Sequence, residues 1–481
     1  MEHSTTPHVL ALPFPAEGHI KPMLNLAKLL SHKGHKITFV NTHHNHNRLQ
    51  QFTDLASFQT QFPDFHFASI TDGIPAEHPR NGALMNYFPM LITPSARSLV
   101  AKESRELFSR LVDKNGQCHP PSCIIADGIM STIALGVAQE FGVPLVAFRT
   151  YSATCTWVTI HLSKLVHDGA LILNNQENLE NVSVSIPGLE NLLRYDDLPS
   201  YFTLLTNLKP DFYIEETLAM TQASGLILNT FEQLESSIIT KLATIFPKVY
   251  TIGPLHTLIK TMVPTNSSSP HKIGCLRKVD RSCITWLDHQ KAKSVLYVSF
   301  GTVVKLSHEQ LLEFWHGLVN SLKPFLWVIQ KDLINGEGGM GNYIPVELEL
   351  ETKQRGLLVD WVPQEEVLAH PAVGGFLTHC GWNSTLECIA EGVPMLCWPS
   401  IADQTVNNRC VSEQWRIGLD MNGTCDRLIV EKMVRDIMEN QMKELMKSTK
   451  EIAEKARDSI KENGYSYDNL ENLIEDIRLM K

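Results

Sequence analysis

A strand, helix, strand pattern opens this chain and restarts near residue 294, and that repetition does most to restrict the fold. His8 to Pro15 (HVLALPFP) reads as a buried strand, and after the Glu17-Gly18 turn apolar residues recur at Ile20, Met23, Leu24, Ala27 and Leu30, which is helical spacing. Lys36 to Asn41 (KITFVN) is strand-like again, completing a βαβ unit. Cys123 to Ala126 and Pro144 to Phe148 continue the alternation around a predicted helix, Ser131 to Phe141. Strands joined by helical crossovers pair in parallel, so the predicted class is α/β with doubly wound sheets. The second opening is Ser294 to Gly301 (SVLYVSFG), then a helix His308 to Leu322 and a strand Phe325 to Ile329.

At 481 residues the chain exceeds what one core supports, which also predicts two domains. Between them, Leu255 to Ser282 carries Pro264, Thr265, Asn266, three serines and Pro270 and reads as a surface linker. The predicted organisation is therefore a domain over 1–254, a linker over 255–282, a second domain over 283–460, and a terminal segment 461–481 able to return to the first domain. Glu431 to Glu462 is predicted helical throughout. Gly336 to Gly341 (GEGGMG) lacks a strand-to-helix context and reads as a loop.

Apolar residues at 43% and charged residues at 20% are ordinary for a globular chain, while the net charge of -10 argues against a nucleic-acid surface. The ten cysteines form no C-x-x-C pair, so neither a zinc site nor a disulfide framework is signalled. The polar start lacks a signal-peptide pattern, and no apolar run reaches the roughly 18 residues of a membrane span. A cytoplasmic location and no integral membrane segment are expected. His43, His44 and His46 sit in an Asn-rich stretch and read as a solvated turn or pocket rim, not a metal site.

The candidate chemistry lies in two places. Gly374 to Thr378 ends a predicted strand, and His379-Cys380-Gly381 turns into a helix that contains Leu386, Ile389 and Ala390. A helix N-terminus offers unpaired N–H groups and the positive end of its dipole, so Asn383 and Ser384 are placed to hold a diphosphate. His19 follows the first strand at the opening of the first helix, where parallel-sheet proteins bind ligands. Its imidazole, with an ordinary pKa near 6.5, suits a general base. Asp127, after the strand CIIA, either caps the helix that follows or supports such a base, and both roles are compatible.

The segment Trp361 to Gln404, WVPQEEVLAHPAVGGFLTHCGWNSTLECIAEGVPMLCWPSIADQ, resembles the nucleotide-sugar signature of plant secondary-product UDP-glycosyltransferases, the inverting family 1 enzymes. FPAEGHIKPM at the start, SFGT at Ser299 to Thr302 and NTFEQLE at Asn229 to Glu235 extend the resemblance over most of the chain. It implies two Rossmann-like domains facing across a cleft, the GT-B fold, with UDP-glucose as co-substrate and a small apolar acceptor taking glucose on a hydroxyl or carboxyl. No other cofactor, no metal and a monomeric chain are expected; no Asp-x-Asp segment stands in a metal-binding context.

By the same resemblance Trp361 stacks on uracil, Val362 and Gln364 contact the nucleoside, and Glu387 accepts from the ribose hydroxyls. His379, Ser299 and Thr302 approach the diphosphate, Trp382 meets the sugar end, and Asp403 and Gln404 hold sugar hydroxyls, Gln404 favouring glucose. His19 would deprotonate the acceptor with Asp127 as its partner, and one displacement would invert the anomeric carbon. Two positions depart from the pattern: Glu17, where glutamine is common, and Ile401, often aromatic. A nucleotide-sugar binding protein without activity, or an epimerase, would be competing classes. NTHHNHNRL, ITDGIPAEH, YTIGPLHTL and DRSCITWLD resemble the iridoid and terpenoid branch, so a terpenoid acceptor is expected, with flavonoids or simple phenolics as the alternative.

Overall fold

A computed structural model describes residues 6–78, 80, 84–112, 120–168, 186–202, 210–263, 276–302, 304, 306–329 and 346–480. The chain forms two compact units: Met1–Glu177, Tyr201–Arg277 and Ala456–Lys481 make the first, Asn178–Ser200 and Lys278–Lys455 the second.

In the first unit, β1 (His8–Leu12), β2 (Lys36–Thr42), β3 (Phe65–Ile70), β4 (Cys123–Asp127), β5 (Leu145–Arg149), β6 (Gly225–Leu228) and β7 (Val249–Thr251) form a sheet in the order β3-β2-β1-β4-β5-β6-β7. Every pairing is parallel, with Val9 of β1 opposite both Ile37 of β2 and Cys123 of β4. The strands are short apolar runs because helices cover both faces. Thus β1 is buried along its whole length, and the helix Glu17–His32 buries Ile20, Met23, Leu24, Leu26, Ala27 and Leu30. The terminal helix Tyr465–Leu479 packs beside β7, burying Leu470, Leu473, Ile474 and Ile477 in the same core as Val9 and Met23. Asp476 secures it by accepting from the Tyr250 hydroxyl at 2.5 Å and pairing with Lys248, and Ser466 donates to the Gly253 carbonyl at 2.6 Å.

In the second unit, β8 (Val295–Ser299), β9 (Phe325–Val328), β10 (Gly356–Val359), β11 (Val373–Thr378), β12 (Met395–Cys397) and β13 (Gly418–Asp420) form a parallel sheet in the order β10-β9-β8-β11-β12-β13. Phe314, Trp315, Trp327 and Leu377 lie at its core with Val430 and Val434.

Several sequence expectations differ from this arrangement. The stretch read as a linker begins with a helix, Leu255–Met262, whose Leu255 and Leu258 are fully buried against the helix Glu17–His32. Its Pro- and Ser-containing part, like Gly336 to Gly341, lies outside the described residues. The boundary at 254 also fails to separate the units. Within the second unit, Ser200 Oγ accepts from the Ala402 N–H at 3.0 Å, the Leu198 carbonyl from Thr405 at 3.1 Å, and Asp197 pairs with Arg409 at 3.1 Å.

His43, His44 and His46 belong to a helix, His43–Phe52, started by the Thr42 hydroxyl accepting from the Asn45 N–H; that cap outweighs the turn tendency of the asparagines. The helix predicted over 431–462 is interrupted. It runs Arg427–Arg435, widens into a π-helical turn Asp436–Asn440, and resumes as Met442–Ser459. The widened turn seats Ile437 and Met438 in the core opposite Gly374 and Gly375 of β11, a packing gain that periodicity does not encode.

Candidate active site

In the first unit β1, β4 and β5 are adjacent and parallel, so the segments leaving their carboxyl ends emerge side by side. They bring His19, Asp127 and Thr150 together. His19 lies in the first turn of the helix Glu17–His32, and its Nδ1 is 2.7 Å from Asp127 Oδ2 and 3.0 Å from the Thr150 hydroxyl. Asp127 is wholly buried, and its other oxygen accepts the Ile129 N–H at 3.1 Å. One carboxylate therefore caps the turn Gly128–Met130 and holds the imidazole. An ionised carboxylate only accepts, so Nδ1 carries the proton in this pair and Nε2 keeps its lone pair.

Phe14 and Tyr151 meet the imidazole edge-on, with centroids at 5.3 and 5.9 Å. Beyond Phe14, Phe88 stacks on Tyr213, which stacks on Tyr201 at 3.9 Å, giving an apolar aromatic wall. A small hollow lies beside it, lined by Phe14, Ile70, Leu91, Met130 and Ile133 together with the polar Asn41, Thr42, Asp72 and Arg97. Glu17 is engaged by two cations, Arg48 at 2.9 Å and Arg277 at 2.8 Å, so the glutamate in place of the common glutamine is electrically balanced.

In the second unit Thr378 of β11 is in register with Ser299 of β8, which sets the following residues next to each other. His379 is packed between two glycines. A Cβ at Gly301, where φ is +70°, would stand 2.6 Å from the ring, and one at Gly381 would stand 2.5 Å from Nε2. Burial lowers the His379 pKa to about 4, so the ring is neutral at pH 7; it hydrogen-bonds the Ser299 backbone, and among the described residues its Nδ1 has no partner. Gly381 begins the helix Trp382–Glu391, and no side chain caps that start. An uncapped helix start beside a neutral imidazole is suited to an anion.

The other predicted donor residues also lie in this unit, several of them holding one another. Gln364 accepts from the Tyr297 hydroxyl at 3.0 Å and donates to Glu387 at 2.6 Å and Ser384 at 3.0 Å. Trp361 is partly exposed, its carbonyl accepting from the Asp280 N–H at 2.8 Å, and Val362 is buried. Trp382 is buried next to Trp415, while Thr302 and Asn383 are partly exposed. Asp403 accepts from Asn407 at 2.7 Å; Gln404 accepts from the Ser400 and Ile401 N–H groups at 2.9 and 3.0 Å and thereby shapes its own loop.

Sequence reasoning gave no role to Phe14, although it opens FPAEGHIKPM, and missed Thr150 and Tyr151, which carry no motif and become visible only once the strand order is known. It also left NTFEQLE without a physical role. Glu235 is buried and accepts from the N–H groups of Ala153 and Thr154 and the hydroxyls of Thr154 and Thr230, capping the helix Ala153–His167 that follows Thr150 and Tyr151. Burial pushes its carboxyl up from the ordinary value, and those donors oppose the shift.

Residues 122–455 match the family described as UDP-glucoronosyl and UDP-glucosyl transferase, and the chain belongs to that family. It is 43% identical to a 7-deoxyloganetic acid glucosyltransferase of Catharanthus roseus across 99% of this chain and 98% of that one. It is 40% identical to a 7-deoxyloganetin glucosyltransferase of Gardenia jasminoides, with 97% of each chain covered. Among solved structures it resembles Os79 from O. sativa in complex with UDP, with a TM-score of 0.78, 28% identity and coverage of 98% and 100%. It likewise resembles Phytolacca americana UGT2 complexed with UDP-2fluoro-glucose and pterostilbene, with a TM-score of 0.77, 27% identity and coverage of 99% and 100%. The chain is a UDP-glycosyltransferase of the plant type, built as two Rossmann-like domains in the GT-B manner. Among the described residues no helix is long and apolar enough to cross a membrane.

Proposed function

We propose that this enzyme transfers glucose from UDP-glucose to a hydroxyl of a small apolar terpenoid, with inversion at the anomeric carbon. The observation that carries the reading is the His19–Asp127 pair at 2.7 Å, with Nε2 left able to accept a proton. The acceptor oxygen forms the new bond to the sugar's C1 as the bond from C1 to the β-phosphate oxygen breaks. UDP leaves with the electron pair, and the acceptor's proton goes to Nε2 of His19. Asp127 stabilises the imidazolium that results, and Thr150 helps hold the ring.

Donor binding falls to the second unit. Trp361, Val362, Gln364 and Glu387 take the nucleoside. His379, Ser299, Thr302 and the helix start at Asn383 and Ser384 take the diphosphate. Trp382, Asp403 and Gln404 take the sugar. Charge developing on UDP is met by backbone N–H groups and the helix dipole, so no divalent ion takes part. A terpenoid, and within that class an iridoid, is favoured because the relatives named for 7-deoxyloganetic acid and 7-deoxyloganetin are 43% and 40% identical, against 27% for the protein solved with pterostilbene. A monomer in the cytosol is part of the same reading; thiols that form no disulfide among the described cysteines suit a reducing compartment.

The test is a competition between UDP-glucose and UDP-galactose in excess chelator, with 7-deoxyloganetic acid and a flavonol as acceptors. The expected result is rapid glucosylation of the iridoid at the rate seen without chelator. Preference for galactose would remove the sugar assignment, and activity restored only by magnesium or manganese would remove the metal-free account.

A further inference from the structure

Arg149 is the last residue of β5 and is only 1% exposed, yet among the described residues Nε, Nη1 and Nη2 have no hydrogen-bond partner. Three buried carboxylates of the same unit are already engaged. Asp127 serves His19 and Ile129, Glu216 serves Arg97 and Thr132, and Glu235 serves the threonines beside it. A guanidinium keeps its charge under all ordinary conditions, so burying one without a counterion is strongly unfavourable. The guanidinium faces the Tyr151 ring, whose centroid is 4.4 Å from Cζ, and a cation–π contact offsets only part of that cost.

The position of this cation ties it to the reaction. Arg149 immediately precedes Thr150, which reaches His19 Nδ1, and the Tyr151 ring that faces the guanidinium also faces the imidazole at 5.9 Å. Gly128, next to Asp127, makes the room: a Cβ there would stand 2.8 Å from both Cδ and Nη1 of Arg149. The Tyr201 and Tyr213 phenols, part of the aromatic wall, lie within its field.

We infer that Arg149 is a subsite for a carboxylate borne by the acceptor, and that the glucose is placed on a hydroxyl elsewhere on the same molecule. The inference rests on the glucosyl-transfer reading and names the class of acceptor more closely: a hydroxy acid with an apolar body. The planar donor fork of arginine matches a carboxylate in two parallel hydrogen bonds, supplying the partner that the guanidinium lacks among the described residues. A carboxylate held in this way is not the nucleophile, so the product is an O-glucoside that resists mild alkali and not a glucose ester.

The experiment compares 7-deoxyloganetic acid with its methyl ester, which differ at the carboxylate alone. Turnover with UDP-glucose and calorimetric affinity for the protein saturated with UDP are both measured, on the wild type, Arg149→Met and Arg149→Lys. The wild type is expected to favour the acid by about tenfold or more in kcat/KM, the range spanned by one charged hydrogen-bonding partner. Arg149→Met should bring the ratio of acid to ester near unity, and Arg149→Lys should restore part of it. Equal use and equal binding of acid and ester by the wild type would overturn the inference. So would a loss in Arg149→Met that is the same for both compounds, which is the mark of a residue needed only for packing. Preferential binding of the acid without transfer to either compound would sink the transfer reading and leave the carboxylate subsite standing.

Discussion

His19→Ala is expected to lower kcat for an alcohol acceptor by about 100- to 10,000-fold, the usual worth of a general base. UDP affinity should stay within about twofold, because the residues assigned to the nucleotide belong to the second unit while His19 belongs to the first. An acceptor attacking through a carboxylate needs no deprotonation and should lose far less than an alcohol. Initial rates for both acceptor types, with UDP binding by calorimetry, separate these effects. Near wild-type turnover of the alcohol would remove His19 from the mechanism.

Asp127→Asn should come close to the same loss, for a reason specific to the two bonds that Asp127 makes. The amide oxygen can still accept from the Ile129 N–H, so the cap on Gly128–Met130 survives and stability should fall by no more than about 1 kcal/mol. The amide nitrogen then faces Nδ1 and donates to it, which forces the proton onto Nε2 and removes the lone pair that accepts from the substrate. In a hydrolase triad the equivalent exchange costs about 10,000-fold. Thermal unfolding alongside kcat tests the division: a large fall in Tm with a proportionate fall in activity would make Asp127 a structural residue only.

The parallel sheets and the positions of His19 and of the donor segment were legible in the sequence because each rests on local signals. Val9 to Leu12 is a short apolar run, Ile20 to Leu30 has helical spacing, and the turn His379-Cys380-Gly381 leads into a helix that contains Leu386, Ile389 and Ala390. What stayed hidden depends on contacts between distant residues. Asp197 and Ser200 join the second unit through Arg409 and Ala402, pairings more than two hundred residues apart that no window of sequence reveals. The helix Leu255–Met262 sits in a stretch that turns Pro- and Ser-rich only beyond it, so composition averaged over the stretch concealed its apolar face.

The site shows the same division. Thr150 and Tyr151 sit beyond the end of β5, and nothing marks them until β5 is known to lie next to β4 and β4 next to β1. Glu235 was visible as part of a family-like motif, but its work, closing the start of the helix Ala153–His167, required the fold. Nothing in the sequence marks Arg149. Its burial without a partner is a fact of packing alone.

The central claim is a single displacement of UDP by an acceptor oxygen that His19 deprotonates. The anomeric configuration of the product tests it most directly, read from the proton coupling at C1 of the glucoside made from α-linked UDP-glucose. A β-glucoside, formed without any sugar-bound enzyme being trapped, is the result expected. An α-glucoside would contradict the account, because retention requires two displacements or a front-face path that the His19–Asp127 pair does not supply.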